Sequence, residues 1–230
     1  MPKRIFITAK IPEKGIQMLK QKGYEVDIYP NEMSAGKKKL LKLLRKKSYD
    51  AVMTFLTDKI DKEVFESAPG TKLFANYATG YDNIDAAEAK SRGITITNAP
   101  ADLSSEAVAE HTIALMLALA ARIVEADESV RRGKYKGWSA MNFIGTDILG
   151  KTLGLIGAGR IGERVAYYAK GLGMKIIYHD VNKNERIEKE HGAVFYNTAE
   201  EVLKLSDVVS LHVPLLPSTK HLINEQRLNI

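Results

Sequence analysis

Short β-branched or aromatic runs alternate with amphipathic helical segments along the whole chain, and this order limits the folds available to it. From the amino end, the strand-like runs are RIFITA, EVDIY, YDAVMTF, LFANYAT and ITITN, and several helical segments between them end at glycine. Parallel strands need a crossover of a dozen or more residues, which is usually a helix. The pattern therefore predicts the α/β class, with parallel sheets doubly wound by helices.

The same alternation starts again in the second half of the chain. The strand-like runs TLGLI, MKIIYHD, GAVFY and DVVSLHV alternate with the helical segments ERVAYYAKGLG and TAEEVLKLS, and no low-complexity linker precedes them. The change falls near residues 100 to 104. We therefore predict two consecutive doubly wound domains, residues 1–100 and residues 101–230.

A long apolar segment, AVAEHTIALMLALAARIV, lies just after this change. Ser104 is of a type that caps helices and Glu106 would lie in the first turn, so the helix is expected to start near Ser104. The segment stays apolar on nearly all sides until Val124, which predicts a helix buried between two bodies of protein. It is not predicted to span a membrane, because three polar or charged residues interrupt it: Glu110, His111 and Arg122.

The composition is typical of a soluble globular protein and excludes some kinds of site. Hydrophobic residues make up 45% and charged residues 27% of the 230 residues, which are ordinary values. The chain has no cysteine, which excludes disulfides and thiolate metal sites, and no other metal site is predicted. The first residues lack the apolar core of a signal peptide, so we expect a cytoplasmic protein without a membrane partner.

The net charge of +6 raises the question of an anionic partner. The basic residues cluster in GKKKLLKLLRKK, where Leu40, Leu41, Leu43 and Leu44 form an apolar stripe and the lysines form the opposite face. No aromatic residue lies among them to stack on bases. We therefore interpret the segment as an amphipathic surface helix and predict no nucleic-acid partner.

Two glycine-containing phosphate motifs occur close together and imply different functions. GTDILGKT, residues 145–152, matches the P-loop pattern of nucleotide hydrolases, and GAGRIG, residues 157–162, matches the dinucleotide-binding pattern. A P-loop joins a strand to the amino end of a helix, where backbone N–H groups meet the phosphates. Because GTDILGKT leads into the strand TLGLI, a P-loop hydrolase is only a distant alternative.

GAGRIG has a strand before it and a helix after it, as dinucleotide binding requires. Gly157 permits the tight turn, Gly159 leaves space for the pyrophosphate, and Gly162 lets the helix pack closely on the strand. Asp180 ends MKIIYHD, eighteen residues after Gly162. Its carboxylate can accept hydrogen bonds from the adenosine ribose and would repel a 2′-phosphate, although an ordinary turn residue is the alternative. The predicted cofactor is NAD in preference to NADP.

The chain resembles the D-isomer-specific 2-hydroxyacid dehydrogenases, and among them the glyoxylate and hydroxypyruvate reductases. The resemblance rests on ANYATGYDNID, RGITITNAP, EAVAEHTIALMLALAAR, GKTLGLIGAGRIG, KGLGMKIIYHD and SLHVPLLPSTKHLIN, which follow one another in the family's order. It implies a flavodoxin-like substrate domain, a Rossmann NAD-binding domain and a homodimer of the full-length form. It also implies an oxidoreductase that interconverts a small 2-keto acid, with glyoxylate or hydroxypyruvate as first choice, and a D-2-hydroxy acid.

The resemblance also implies roles for individual residues. The loop around Thr79 and Gly80 looks like the one whose backbone N–H groups hold the substrate carboxylate, with a plain turn as the alternative, and Leu56 lines the same cleft. Ser105 stands where relatives often have a threonine near the nicotinamide ribose, although a helix-cap role is equally open. The segment HVP resembles the wall of the adenine side, although His212 alone is typical of a strand end. The predicted cofactor-binding residues are Ser105, Gly157, Ala158, Gly159, Arg160, Ile161, Gly162, Asp180, His212, Val213 and Pro214.

The family's catalytic arginine, glutamate and histidine lie in motifs such as NTARG, and none of these motifs occurs in the sequence. We therefore predict no catalytic residue within residues 1–230. The strand VVSLHV is expected to be the fourth of its sheet, with one unpaired edge. We expect the amino-terminal part of a longer dehydrogenase, with an incomplete Rossmann domain and no activity alone. A non-catalytic NAD-binding or regulatory module is the alternative.

Overall fold

The computed structural model describes residues 2–230, which form two compact units. The first unit ends at Ala101, and the second runs from Asp102 to Ile230. Each unit contains one sheet in which every strand pairs in parallel with its neighbours, and helices connect the strands. The predicted α/β class with parallel sheets is therefore confirmed.

The first unit contains a five-stranded sheet in the order β2-β1-β3-β4-β5. Buried residues on one face of the sheet, such as Val52 and Phe74, pack against the leucines Leu40 and Leu44 of the second helix. The lysine-rich helix is thus amphipathic, as its sequence predicts. The elements are β1 (Arg4–Ile7), α1 (Glu13–Gln21), β2 (Glu25–Ile28), α2 (Lys37–Lys46), β3 (Ala51–Thr54), α3 (Lys62–Glu66), β4 (Leu73–Asn76), α4 (Ala86–Ser91) and β5 (Thr95–Thr97).

The second unit contains a four-stranded sheet in the order β8-β7-β6-β9. The core on one face joins Leu153 and Leu155 of the central strand to Val165 and Ala169 of the helix that follows it. The elements are α5 (Asp102–Ala120), α6 (Ile123–Arg131), β6 (Thr152–Ile156), α7 (Arg160–Gly171), β7 (Lys175–His179), α8 (Glu185–His191), β8 (Val194–Phe195), α9 (Ala199–Leu205), β9 (Val208–Leu211) and α10 (Glu225–Leu228).

Helix α5 differs from its prediction at both ends. It begins at Asp102, so Ser104 lies inside the first turn and is not the N-cap. It ends at Ala120, because Arg122 adopts a left-handed conformation with φ of 53° and interrupts the helical hydrogen bonds. Val124 therefore belongs to the separate helix α6. Apolar periodicity did not reveal this break, since both helices are rich in apolar residues.

The prediction that α5 is buried was wrong for the chain on its own. Ala109 and Met116 are buried against α7, whereas Leu103 is 84% exposed and Leu119 is 81% exposed. By length and composition α5 could cross a membrane, although one such helix is weak evidence of a span, and 17% of the tested window is buried. Glu106 pairs with Arg164 of α7 at 3.0 Å, which ties α5 into the fold of the second unit.

Strand β9 is the fourth strand of its sheet, as predicted, and within residues 2–230 it pairs with β6 alone. Its residues alternate between partly buried and exposed, and Leu211 is 46% exposed. The sequence analysis did not predict α8, in which Ile187 is the one buried residue.

Gly154 lies in the middle of β6 and lets α9 approach the strand closely. A Cβ atom added there would lie 2.0 Å from the Ser206 Oγ and 2.7 Å from the Val202 Cγ1. Real Cβ contacts are not this short, so a side chain at position 154 would force α9 and the turn after it outward.

We expect Gly154→Ala to lower the free energy of unfolding by about 1–3 kcal/mol, because overpacking forces shifts of side chains and backbone. Gly171→Ala in the last turn of α7 is the matched control, since its Cβ would meet nothing within 4 Å. That change should leave stability unchanged or raise it by up to about 1 kcal/mol. Urea unfolding measures both, and equal stabilities for the two variants would contradict the packing argument.

Candidate functional site

The carboxyl ends of β6, β7 and β9 lie side by side and bring three predicted residues together. The Gly157 N–H donates to the His179 carbonyl at 2.9 Å, and the His212 N–H donates to the Ile156 carbonyl at 2.7 Å. Asp180 directly follows His179. Ligands of open α/β sheets bind outside this edge, so the position is that of a cofactor site.

Residues 157–162, here called the glycine loop, contain three glycines with different surroundings. Gly157 has φ of 100°, and a Cβ added to it would lie 2.7 Å from the His212 carbonyl. A Cβ on Gly162 would lie 2.2 Å from the Gly157 carbonyl oxygen. A Cβ on Gly159 would meet nothing within 4 Å, because this glycine faces open space. Gly157 and Gly162 thus allow close packing, whereas Gly159 leaves room for a ligand.

The glycine loop leads directly into the amino end of α7, whose N-cap residue is Gly159. The N–H groups of Arg160, Ile161 and Gly162 donate to no other described residue. The first turn of a helix carries such free N–H groups and a partial positive charge, and both attract anions. The residues present therefore fit the pyrophosphate of a dinucleotide.

Asp180 holds the glycine loop as well as facing the cleft. Its Oδ2 accepts from the Ala158 N–H at 2.7 Å, and its Oδ1 accepts from the Val181 N–H at 2.6 Å. The carbonyl of the same alanine accepts from the Asn184 Nδ2 at 2.7 Å. Each carboxylate oxygen keeps a further lone pair for a ligand hydroxyl. Sequence reasoning missed Asn184, whose only local signal is its residue type at the start of α8, where it is the N-cap.

A cleft of about 520 Å³ opens at this edge of the second unit. His212 forms part of its wall, and its Nε2 lies 2.9 Å from the Ser210 Oγ. Burial lowers the pKa of the His212 imidazole below its ordinary value of 6.5, so the neutral ring is favoured. The predicted residues that line the cleft are Gly157, Gly159, Asp180, His212, Val213 and Pro214.

Several lining residues were not predicted, and some predicted ones do not line the cleft. Arg227 of α10 reaches the cleft and pairs with Glu200 at 2.6 Å. Ser105 is buried in the first turn of α5 and is not part of the lining. The predicted residues of the glycine loop and of the first turn of α7 that are not part of the lining are Ala158, Arg160, Ile161 and Gly162.

In the first unit, residues 77–83 form a loop after β4, here called the 77–83 loop. The N–H groups of Thr79, Gly80 and Tyr81 donate to no other described residue. A Cβ on Gly80 would lie 3.2 Å from the Asp82 Oδ1 and 4.0 Å from the Leu56 Cδ2. The Leu56 side chain therefore lies next to Gly80. Three consecutive free N–H groups can donate hydrogen bonds to an anion.

The P-loop alternative does not fit the structure. The segment GTDILGKT has no strand before it and leads through Lys151 into β6, which begins at Thr152. The Lys151 Nζ pairs with Asp207 at 3.0 Å.

One group of side chains on α7 and α8 has the spacing of metal ligands. Ligand atoms of Glu163, Glu190 and His191 all lie within 4.8 Å of one another. Arg186 pairs with both glutamates, each at 3.2 Å, and so already neutralises them. We assign no metal to this group.

Comparisons with known proteins agree with this geometry. The D-isomer specific 2-hydroxyacid dehydrogenase, NAD binding domain family matches residues 113–230. A glyoxylate reductase from Korarchaeum cryptofilum is 47% identical over 99% of this chain and 68% of its own length. A Thermus thermophilus protein of known crystal structure has a TM-score of 0.89 and 38% identity, covering 98% of this chain and 69% of its own.

A third relative carries ligands in its crystal structure. The D-lactate dehydrogenase from Aquifex aeolicus, complexed with NAD and lactic acid, has a TM-score of 0.82 and 34% identity. The match covers 98% of this chain and 65% of that chain. With the cofactor edge of the second unit, these matches show that the chain belongs to the D-isomer specific 2-hydroxyacid dehydrogenase family, whose cofactor is NAD.

Proposed function

We propose that this protein is an oxidoreductase that uses NAD to interconvert a small 2-keto acid, glyoxylate or hydroxypyruvate, and its D-2-hydroxy acid. The observation that carries the proposal is the combination of an open Gly159 at the amino end of α7 with a fixed Asp180 carboxylate beside it. The glyoxylate reductase relatives support the choice of substrate. We also propose that the protein is soluble and cytoplasmic.

Different residues of the second unit would bind the separate parts of the dinucleotide. The free N–H groups of Gly159 and the first turn of α7 would donate hydrogen bonds to the pyrophosphate. Asp180 would accept hydrogen bonds from the adenosine ribose, and His212, Val213 and Pro214 would wall the adenine side. When NAD is bound, its nicotinamide supplies the hydride acceptor or donor of the reaction. Ser105, at the start of α5, is proposed to lie near the nicotinamide ribose.

The 77–83 loop of the first unit would bind the substrate carboxylate. The N–H groups of Thr79 and Gly80 are free, and a carboxylate oxygen is a strong acceptor for such donors. Leu56 is 54% exposed beside Gly80 and would contact the rest of a short keto acid. We propose that residues 1–100 are the substrate-binding domain and residues 101–230 the NAD-binding domain.

Cofactor preference tests the role of Asp180. The wild type should bind NADH at least about tenfold more tightly than NADPH, because the Asp180 carboxylate repels a 2′-phosphate. Asp180→Asn removes the charge but keeps an oxygen that can accept from the Ala158 N–H, so this ratio should fall toward one with the loop intact. Fluorescence titration of both cofactors measures the ratio.

Gly159→Val is the control for that experiment. Its branched side chain would fill the open space at the glycine loop, so it should abolish binding of both cofactors with little change in the melting temperature. Wild-type affinity for either cofactor in this variant would exclude the glycine loop as the pyrophosphate site. An unchanged cofactor ratio in Asp180→Asn would exclude the ribose role.

We propose that this chain lacks the group that exchanges a proton with the substrate during hydride transfer. Among residues 2–230, none of the five histidines makes a hydrogen bond or ion pair with a carboxylate. A general acid near the carbonyl oxygen commonly contributes a factor of about 10² to 10⁴ to the rate. This lack also favours a second candidate function, a non-catalytic NAD-binding module.

We therefore expect the purified 230-residue chain to bind NADH but to oxidise it no faster than a protein-free blank with glyoxylate, hydroxypyruvate or pyruvate. Absorbance at the nicotinamide band follows the reaction, and Gly159→Val gives the background without bound cofactor. Clear turnover by the wild type that Gly159→Val lacks would mean that a histidine such as His111 or His212 transfers the proton.

We also propose that the protein forms a homodimer through exposed apolar side chains of α5 and the segment after α6. Leu119 is 81% exposed and Trp138 is 87% exposed, which is unusual for such large apolar side chains. Burial against a second copy would remove this surface from water.

Sedimentation velocity tests the dimer. The wild type should sediment as a dimer, and Leu119→Glu should shift it to monomer because a charge in an apolar interface is costly. Met18→Glu on α1, where Met18 is 59% exposed, is the matched control and should remain dimeric. A monomeric wild type would rule out the proposed interface.

A further inference from the structure

Four consecutive carbonyl groups of the 77–83 loop, from Ala78 to Tyr81, accept hydrogen bonds from donors in the first unit. The Ala78 carbonyl accepts from the Ala99 N–H at 2.8 Å, and the Tyr81 carbonyl accepts from the Ile84 N–H at 3.0 Å. The two carbonyls between these each accept a hydrogen bond from an asparagine side chain. The Thr79 carbonyl accepts from the Asn98 Nδ2 at 2.6 Å, and the Gly80 carbonyl accepts from the Asn76 Nδ2 at 2.8 Å.

These bonds fix the direction of the free N–H groups. A trans peptide is planar, so its N–H points away from its C=O. With the Thr79 carbonyl bound to Asn98, the N–H of Gly80 must point away from Asn98. With the Gly80 carbonyl bound to Asn76, the N–H of Tyr81 must point away from Asn76. Rotation of either peptide would break its bond and present a carbonyl oxygen, which repels a carboxylate.

Asn76 is itself held in one orientation. It is 3% exposed, and its Oδ1 accepts from the Thr54 Oγ1 at 2.9 Å. Its Nδ2 also donates to the Asn83 Oδ1 at 2.9 Å. Because the Gly80 carbonyl can only accept, the Nδ2 must face it. Buried polar side chains are costly unless they are fully hydrogen-bonded, and this one makes bonds through both of its polar atoms.

Asn83 connects this network to the segment after β3 that carries Leu56. The Asn83 Nδ2 donates to the Phe55 carbonyl at 3.0 Å and to the Asp58 carbonyl at 2.9 Å. The same side chain therefore fixes the 77–83 loop and the segment beside it. A shift of either segment would strain bonds in the other.

We infer that Asn76 and Asn98 are positioning residues, which hold the peptides of the 77–83 loop so that the N–H groups of Gly80 and Tyr81 are presented to a carboxylate. The inference rests on the proposed role of this loop in substrate binding. Neither asparagine needs to touch the substrate, because each acts through the carbonyl that it binds.

The test is an NMR titration of the 230-residue chain with oxamate, a stable analogue of a 2-keto acid. In the wild type, the amide signals of Gly80 and Tyr81 should shift and saturate. In Asn76→Ala and in Asn98→Ala, the dissociation constant for oxamate should rise about tenfold or more, because hydrogen bonds to a charged group are lost. Asn98 lies on the surface, so its variant should fold normally.

Thr71→Val is the matched control. Thr71 is a buried residue of the same unit whose Oγ1 donates to the Tyr49 carbonyl at 2.8 Å, away from the loop. This variant should lose stability but keep the wild-type affinity for oxamate. Wild-type affinity in both asparagine variants, or an equal loss in Thr71→Val, would overturn the positioning role. A wild type whose Gly80 and Tyr81 signals do not respond would overturn the carboxylate role of the loop itself, and the inference with it.

Discussion

Parallel pairing of neighbouring strands is the constraint on which both candidate sites depend. In a parallel sheet all carboxyl ends meet at one edge, so loops that are far apart in sequence become neighbours. Pairing of β6 with β7 and β9 brings Gly157, Asp180 and His212 together in the second unit. Pairing of β3 with β4 does the same for Leu56 and the 77–83 loop in the first unit.

The two sites present free N–H groups by different means. At the glycine loop, the start of α7 leaves its first N–H groups without partners, and glycines remove the side chains that would cover them. At the 77–83 loop there is no helix, so side-chain amides bind the carbonyls and leave the N–H groups free. Asp180 and Asn184 hold the two peptide groups on either side of Ala158 in a related way. In each case, polar side chains next to a binding loop fix backbone direction.

The features of the fold that depend on local sequence pattern could be predicted. Alternating strands and helices predicted the sheets, and the spacing of Gly157, Gly159 and Gly162 predicted which strand would meet which helix. Helix α8 was missed because Ile187 is its one buried residue, which leaves almost no apolar periodicity to detect. The roles of Asn76 and Asn98 could not be predicted, since their partners are set by tertiary packing and a lone asparagine has no periodic signal. The prediction that α5 is buried was wrong for the chain on its own, because composition shows how apolar a helix is and not what covers it.

The contact of α9 with Gly154 connects the core of the second unit to the width of its cleft. Gly154 pairs with Val209 of β9, and the cleft wall at His212 begins directly after that strand. On the other side, α9 starts at Ala199, which also lines the cleft. A side chain at position 154 would therefore act, from within the sheet, on two segments that lead to the lining of the cleft. The shape of this cleft thus depends in part on a residue that is not among those lining it.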